Sequence, residues 1–376
     1  MKQVICATVV LMTTIVGVGM FGLPYAGIQS GFMVAAIFLL ILTIVMAILH
    51  LFYGEIVVKT KEKHRLVGYI DHYLGKKWKL LVSLSVIIGF YGSLLVYIVV
   101  GGQFLADVFS FTGLSSVVFY LIFFAIGSLA IYFGIKLITG LDILMGIFLF
   151  LIVFSFLLFG INHINIDNFK GVNLSKVFFP YGAILYSLAG MAAIPEIRDI
   201  FKKGVKGFKR AIIWGTVIPA VMYFVFIFTV IGLTGEETSL NAISGLSGIL
   251  GNKIILLGAV FGFLATITSF FVIGLSLKKT FHFDFKINKQ LSWVLVCFVP
   301  LILLMLGVNN FVSIIVILGA LMGGIEGVAV ILAHNKIKKE ETEKGEYSVN
   351  NFYFVKLIMI IMFVAGFVYT LISALK

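Results

Sequence analysis

Three glycines near the N-terminus are spaced as in a backbone site for an anion. Gly17, Gly19 and Gly22 lie in the segment GVGMFGLPYA and match the pattern G-x-G-x-x-G. Glycine lets a backbone approach a ligand closely, and the N–H groups at the start of a helix attract negative charge. Because the same pattern is typical of turns that bind the pyrophosphate of a dinucleotide, nucleotide binding is the first hypothesis to test.

The residues around these glycines exclude a dinucleotide site. Such a site needs a short strand before the glycines and an acidic residue about 20 positions after them. The corresponding window here is FLLILTIVMA, which has no charge, and the first acidic residue of the chain is Glu55. We therefore reject an oxidoreductase of the Rossmann type, and we expect that the protein is not an enzyme.

The composition indicates a protein that crosses a membrane many times. The chain has 376 residues, of which 61% are hydrophobic and 12% charged. No charged side chain occurs between Lys2 and Glu55, and about 20 consecutive apolar residues suffice for a transmembrane helix. We predict an all-α protein with a single transmembrane domain over residues 1–376, and a first span that is retained rather than cleaved as a signal peptide.

Eleven apolar stretches are separated by charged or turn-forming clusters. Numbered in chain order, the predicted spans cover residues 4–28, 32–58, 78–107, 115–135, 140–161, 176–199, 211–233, 253–277, 291–307, 310–333 and 353–374. With a cytoplasmic N-terminus, 24 of the 28 lysine and arginine residues lie on cytoplasmic segments and four lie outside. Because basic residues are enriched on the cytoplasmic side, we predict that the protein lies in the cell membrane with its N-terminus in the cytoplasm and its C-terminus outside the cell.

This distribution also explains the net charge of +12 without a nucleic-acid partner. The two cysteines, Cys6 and Cys297, lie in apolar runs, and the six histidines are scattered. The sequence therefore indicates no disulfide, metal site or cofactor. We expect a monomer in the lipid bilayer.

Predicted spans 1 and 6 contain residues that interrupt a helix. Span 1 has the three glycines followed by Pro24, and span 6 has the sequence FFPYGAILYSLAGMAAIPEI. Close helix packing is the alternative role for such glycines. Interrupted helices in corresponding positions of two halves, however, point to the binding site of a transporter. Since spans 1 and 6 are five apart, we predict two inverted five-span repeats, residues 1–161 and 176–333, with residues 353–374 as an additional helix.

These motifs resemble the amino acid/auxin permease family of the APC superfamily. GVGMFGLPYA, FFPYGAILYSLAGMAAIPEI and ATITSFFVIGLSL in span 8 are most similar to its prokaryotic members and to related aromatic amino acid permeases. The resemblance covers nearly the whole chain. It implies a leucine-transporter-like fold and secondary transport of amino acids, coupled to H⁺ or Na⁺.

In such a fold an amino acid would bind to the backbone at the two breaks. The half-helix that follows the first break presents N–H groups and the positive end of its dipole, which suit a carboxylate. We assign this role to Gly17, Gly19 and Gly22. Carbonyl groups freed at the second break would accept from the ammonium, and our candidates are Ser187, Ala189 and Gly190.

Aromatic side chains are the candidates for the wall of the pocket. Phe21, Tyr91, Tyr97 and Tyr186 lie in the spans concerned, although packing is the alternative role for each of them. No charged residue lies near either break in the sequence. We therefore expect a substrate with a neutral side chain, including aromatic ones.

Two sets of residues are candidates for ion coupling. Thr268 and Ser269, with Thr266 one turn away from Ser269, resemble the hydroxyl pair that flanks a sodium site in this fold, although such hydroxyls also bond to their own helix. Glu326, in span 10, is the deepest carboxylate of the chain. An ionisable group at membrane depth is a functional candidate for carrying a proton.

Three further groups lie toward the inner ends of their spans. Glu55 and Glu196 are candidates for gate ion pairs, the latter beside Arg198, and His50 lies five residues before Glu55. The sequence thus predicts a symporter that imports neutral amino acids by alternating access around the broken spans 1 and 6. The alternative is a membrane sensor that binds an amino acid without transporting it.

Overall fold

The computed structural model describes residues 1–134, 139–201, 204–340 and 346–374. Within these ranges the chain forms α-helices with short 3₁₀ and π-helical turns, and no β-strand. Five of the basic residues counted for the predicted orientation lie outside the described residues. They are Lys136, Lys202, Lys203 and Lys344 on predicted cytoplasmic segments, and Lys376 at the predicted external end.

The described part of the chain contains sixteen α-helices. They are α1 Lys2–Ile15, α2 Gly19–Ser30, α3 Phe32–Lys59, α4 Leu66–Leu74, α5 Lys76–Val108, α6 Ser116–Phe133, α7 Thr139–Gly160, α8 Phe179–Ser187, α9 Ile194–Ile200, α10 Phe208–Thr234, α11 Ser247–Leu250, α12 Asn252–Lys279, α13 Lys289–Met305, α14 Phe311–Leu321, α15 Val328–Glu340 and α16 Tyr353–Ala374.

Seven helical segments of the described residues are long and apolar enough to cross a membrane. They contain α3, α5, α6, α10, α12, α14 with α15, and α16, and they match predicted spans 2, 3, 4, 7, 8, 10 and 11. The pair α1 and α2 is an eighth when it is counted as one bent span. The multi-pass architecture is confirmed. The count of eleven stays a prediction, because α13 is short, α8 and α9 are separate short helices, and the apolar segment found at α7, Phe150–His163, is shorter than a membrane span.

Both predicted interruptions are present. The axes of α1 and α2 differ by 59°, and Val16 at the end of α1 has an extended backbone. The second break separates α8 from α9 and includes a 3₁₀ turn, Met191–Ala193. Pro180 and Pro195 lie in the first turns of α8 and α9, where proline is tolerated because those N–H groups have no helical acceptor. These two prolines therefore begin helices rather than break one.

The broken helices pack against each other in the interior of the protein. A methyl group added at Gly190 would lie 2.8 Å from Cγ1 of Ile15, so the second break approaches the end of α1 closely. Around them, α1 packs on α10, α2 packs on α8, and α8 packs on α14. Helix α5 packs on α12 and α14.

The contact between α8 and α14 is made by backbone atoms. A methyl group added at Gly319 would lie 1.8 Å from the carbonyl oxygen of Gly182, and one added at Gly182 would lie 2.1 Å from the carbonyl oxygen of Val316. Neither position has room for a side chain unless the helices move apart. Small residues allow such close approach between membrane helices.

Helices α14 and α15 are joined by a π-helical turn, Met322–Gly327. A π turn inserts a residue into the helical register, and such turns are frequent at functional sites. This turn places Glu326 in the middle of predicted span 10, where its side chain faces the interior.

Candidate substrate-binding site

The first break leaves backbone donors at the start of α2. The N–H groups of Met20 and Phe21 turn back to the carbonyls of Gly17 and Val18, at 3.3 Å and 3.2 Å. Among the described residues, the N–H groups of Val18 and Gly19 donate to no backbone carbonyl, whereas the N–H of Gly17 bonds to the Tyr223 hydroxyl. Free N–H groups at a helix start attract an anion, so the structure keeps these donors where the sequence predicted a carboxylate.

The two breaks touch at Gly19 and Ser187. A methyl group added at Gly19 would lie only 2.5 Å from the Ser187 hydroxyl oxygen and 3.1 Å from its Cα. The Ser187 hydroxyl donates to the carbonyl of Ala183 in its own helix, at 2.8 Å. Glycine at position 19 is therefore needed for contact between the breaks. This is a second reason for glycine here, besides the approach of a ligand that the sequence predicted.

Tyr223 of α10 bridges the carbonyl groups of both breaks. Its hydroxyl lies 2.8 Å from the carbonyl oxygen of Ile15 and 3.0 Å from that of Ser187. A hydroxyl has one proton, so the two carbonyls share one donor and keep lone pairs for a further one. Tyr223 could not be identified from the sequence, since a single tyrosine in an apolar span has no periodic or motif signal.

Hydroxyl groups of α5 and α8 lie beside the first break. Tyr186 donates to the hydroxyl of Ser93 at 2.9 Å, and Tyr97 interacts with the side chains of Tyr186 and Ser269. A methyl group added at Gly17 would meet a single atom within 4 Å, the Tyr97 hydroxyl oxygen at 3.7 Å. The backbone of the first break thus borders open space next to a tyrosine hydroxyl.

Three of the predicted site residues make packing contacts instead. The ring of Phe21 packs edge-on against Phe104, with centroids 4.8 Å apart. A methyl group added at Gly22 would lie 2.8 Å from Cδ1 of Ile315 in α14, so this glycine faces a helix rather than the break. Tyr91 is half-buried near Phe281. Packing accounts for Phe21, Gly22 and Tyr91, because their neighbours are apolar side chains of other helices.

Of the two remaining candidates at the second break, Ala189 is half-buried and its N–H donates to the carbonyl of Tyr186 at 3.2 Å. Gly190 donates its N–H to a histidine side chain of α3, His50. Both residues lie in the non-helical segment between α8 and α9, as the sequence predicted.

The candidates for sodium coupling in α12 bond mainly to their own helix. Thr266 donates to the carbonyl of Gly262 at 2.8 Å, and Thr268 donates to the carbonyl of Ala265 at 3.0 Å. Ser269 differs, because it reaches Tyr97 in α5. The structure therefore shows the alternative considered from the sequence, in which Thr266 and Thr268 bond back to their own helix.

Glu326 is buried against α5. Glu326 is 4% exposed, and its Oε1 accepts a hydrogen bond from the Ser85 hydroxyl at 2.9 Å. No ion pair joins Glu326 to a basic side chain in the described part of the chain. A carboxyl group with a neutral partner in the interior can take up and release a proton.

Glu55 is the centre of a buried ionic cluster near the C-terminal ends of α3 and α15. Its carboxylate accepts from Lys338 at 2.7 Å, from Lys59 at 2.8 Å and from His334 at 2.9 Å. The backbone N–H of Val349 adds a fourth contact at 2.8 Å. Four donors to one buried carboxylate make this a structural clasp between α3, α15 and the segment that precedes α16.

The same segment contacts α3 and α10 through Tyr347. The Tyr347 hydroxyl donates to the carbonyl of Leu51 at 3.1 Å, and Lys209 lies 5.2 Å from its ring centroid. Lys209 also donates to the carbonyl of Ser348. Burial raises the pKa of the Tyr347 hydroxyl above its usual range, so it acts as a neutral donor.

Glu196 forms an ion pair at the protein surface, but not with its neighbour in sequence. Its carboxylate lies 3.1 Å from Arg65, and both side chains are more than half exposed. Arg198 instead donates to the carbonyl of Phe201 at 2.8 Å. Exposed pairs of this kind contribute about 0–1 kcal/mol. The pair connects α9 with the segment between α3 and α4.

The sequence profile of the tryptophan/tyrosine permease family matches residues 1–372. Similar proteins include glutamine transporter 2 of Aliivibrio fischeri, 24% identical over 349 residues that cover 90% of each chain. Tyrosine-specific transport system 1 of Haemophilus influenzae is 24% identical over 295 residues, 74% of this chain and 73% of the relative.

Two solved structures share the fold across nearly the whole chain. MhsT in complex with L-phenylalanine superposes with a TM-score of 0.68 at 13% identity, covering 98% of each chain. A nucleobase-cation-symport-1 family transporter, in a closed conformation with bromovinylhydantoin, superposes with a TM-score of 0.65 at 15% identity. The match covers 98% of this chain and 92% of that transporter. These neighbours fit the leucine-transporter-like fold expected from the sequence.

Proposed function

Because the chain belongs to the tryptophan/tyrosine permease family, we propose that it is a secondary transporter that imports neutral amino acids, including aromatic ones, by symport. Family membership makes it a transporter rather than an enzyme. A place in the wider amino acid/auxin permease family, an arrangement of eleven spans in two inverted repeats, and a cytoplasmic N-terminus with an external C-terminus are parts of the same proposal.

The observation that carries the proposal is the bridge made by Tyr223 between the two breaks. Because one hydroxyl reaches the carbonyls of Ile15 and Ser187, these two acceptors converge on one point. Both retain lone pairs for the ammonium of an amino acid. The N–H groups of Val18 and Gly19, which donate to no backbone carbonyl, follow in the same break and suit the carboxylate.

The surroundings of this point favour a neutral side chain. The open space beside Gly17 borders the Tyr97 hydroxyl, and Tyr186 and Ser93 continue the row of neutral hydroxyls. An acidic or basic substrate side chain would lose its hydration there without gaining a countercharge. The names of the two relatives, a glutamine transporter and a tyrosine-specific transport system, are consistent with this class.

We favour H⁺ over Na⁺ as the coupling ion. Glu326 is buried with a neutral partner, which suits a group that binds a proton in one state and releases it in another. Two of the three hydroxyls proposed for sodium bond to their own helix. Transport would proceed by alternating access, with the broken helices exposing the site to one side at a time.

Uptake into proteoliposomes tests the proposal. Radiolabelled neutral amino acids are offered under an imposed pH gradient and, separately, under an imposed Na⁺ gradient. We expect accumulation under the pH gradient. Gly17→Ala should weaken uptake, because its methyl group fills space at the site while meeting only the Tyr97 hydroxyl at 3.7 Å.

The matched control is Gly248→Ala, since a methyl group there meets nothing within 4 Å. It should leave uptake unchanged. Absence of gradient-driven uptake for every neutral amino acid would contradict the proposal. Saturable binding without any flux would favour the sensor in its place.

A further inference from the structure

His50 connects the second break to two other helices. The residue lies in α3 and is 0% exposed. Its Nε2 lies 3.2 Å from the backbone nitrogen of Gly190, and its Nδ1 lies 3.0 Å from the hydroxyl oxygen of Thr216 in α10. One imidazole ring therefore joins α3, α10 and the segment between α8 and α9.

The partners of His50 determine which ring nitrogen has the hydrogen. Thr216 uses its single proton to donate to the carbonyl of Ile212 at 2.9 Å, so toward His50 it can only accept. The backbone N–H of Gly190 can only donate. Nδ1 therefore has the hydrogen, Nε2 is an acceptor, and the ring is neutral in one tautomer.

This arrangement removes a hydrogen bond that would otherwise extend α8. In an uninterrupted α-helix the N–H of Gly190 would donate to the carbonyl of Tyr186, four residues earlier. His50 supplies another acceptor for that N–H, while the N–H of Ala189 reaches the Tyr186 carbonyl at 3.2 Å as in a tighter turn. The imidazole thus stabilises the interrupted conformation relative to a continuous helix.

We propose that His50 is a positioning residue that holds the second break open for substrate. It does not touch the substrate itself. By keeping Gly190 out of the helix, it keeps the Ser187 carbonyl at the end of α8, where Tyr223 and the ammonium share it. The effect of His50 on transport rests on the proposed function. The effect of His50 on the backbone at Gly190 is independent of that function.

Two substitutions separate positioning from simple packing. His50→Leu keeps an apolar side chain of similar size and removes both polar contacts. His50→Gln restores them in principle, because its amide oxygen accepts from Gly190 and its NH₂ group donates to Thr216. We expect His50→Leu to raise the KM for uptake about 3- to 10-fold, the effect of one membrane hydrogen bond of about 1 kcal/mol, with a smaller change in maximal rate. His50→Gln should recover most of this loss.

The matched control is His72→Leu, since His72 is exposed in α4. It should have no effect on uptake. The uptake probes are L-tyrosine, L-tryptophan and L-glutamine. An unchanged KM in His50→Leu would overturn the inference, and so would a loss in His50→Leu that His50→Gln fails to reduce.

Hydrogen–deuterium exchange gives a readout that needs no transport. In His50→Leu we expect altered exchange at residues 188–193. Exchange becomes faster if the Gly190 amide is left without an acceptor, and slower if this amide donates to the Tyr186 carbonyl instead. His50→Gln should restore the wild-type pattern. Wild-type exchange in His50→Leu would overturn the inference even in an active transporter. If the protein transports none of the probes, altered exchange supports the positioning of Gly190 and the failure belongs to the proposed function.

Discussion

The hydroxyl of Tyr223 lies 3.0 Å from the carbonyl oxygen of Ser187 and so joins α10 to the last residue of α8. The same hydroxyl reaches Ile15 at the end of α1. A tyrosine from a continuous helix thus holds together the ends of two interrupted ones. Its phenol ring is buried, which fixes the position of the hydroxyl.

Tyr223→Phe removes this bridge and keeps the ring. We expect the KM for uptake to rise about 5-fold, because a net hydrogen bond contributes about 1 kcal/mol. The measurement is concentration-dependent uptake into proteoliposomes. Tyr132→Phe is the control, since Tyr132 is exposed on α6. An unchanged KM in Tyr223→Phe would show that the bridge has no part in binding.

Glu326→Gln keeps an acceptor for Ser85 but cannot bind and release a proton. We expect accumulation driven by a pH gradient to fall to the level of vesicles without a gradient. Exchange of labelled for unlabelled substrate, which needs no net proton movement, should persist. Ser85→Ala should reduce accumulation only in part. Full accumulation by Glu326→Gln would exclude this carboxyl as the coupling group.

Glu55→Gln should destabilise the protein strongly. It leaves Lys338, whose side chain is 6% exposed, without its carboxylate partner, and removal of one member of a buried pair costs about 3–5 kcal/mol. Thermal unfolding in detergent measures the effect.

Two variants serve as references for the Glu55 experiment. Glu55→Gln combined with Lys338→Met should regain part of the lost stability, since it also removes the buried charge that the Glu55 carboxylate had neutralised. Glu196→Gln, which breaks an exposed pair, should cost about 0–1 kcal/mol. Equal losses in Glu55→Gln and Glu196→Gln would contradict the clasp.

The proposed orientation is tested by labelling single cysteines in a background with Cys6→Ser and Cys297→Ala. Ser175→Cys should react with a membrane-impermeant maleimide in intact cells, because the orientation places Ser175 outside. Lys61→Cys should react only after the cells are permeabilised. Both positions are exposed, so the reverse pattern would invert the orientation.

The positions of the two breaks could be predicted from the sequence, because glycines cluster there within otherwise apolar runs. The presence of backbone donors there was also predictable, since a helix start presents N–H groups whatever its side chains are. Proline was a poorer guide. Pro195 begins α9 instead of interrupting a helix, and a single sequence does not distinguish these two uses of proline.

The contacts that fix the breaks could not be predicted. His50 is 140 positions from Gly190, and Tyr223 is 208 positions from Ile15. Neither pair leaves a local pattern, because each depends on which helices become neighbours. The packing of Gly22 could not be predicted for the same reason, since only the position of α14 shows that this glycine faces Ile315.

The direct backbone contact between Gly182 and Gly319 has a mechanical consequence. With no side chain between them, α8 and α14 are in direct contact, and we expect them to move as one piece. Helix α9 packs on α1 and, like α8, on α3. We therefore expect any bending of this interrupted span during transport to occur between α8 and α9, at Leu188 to Gly190.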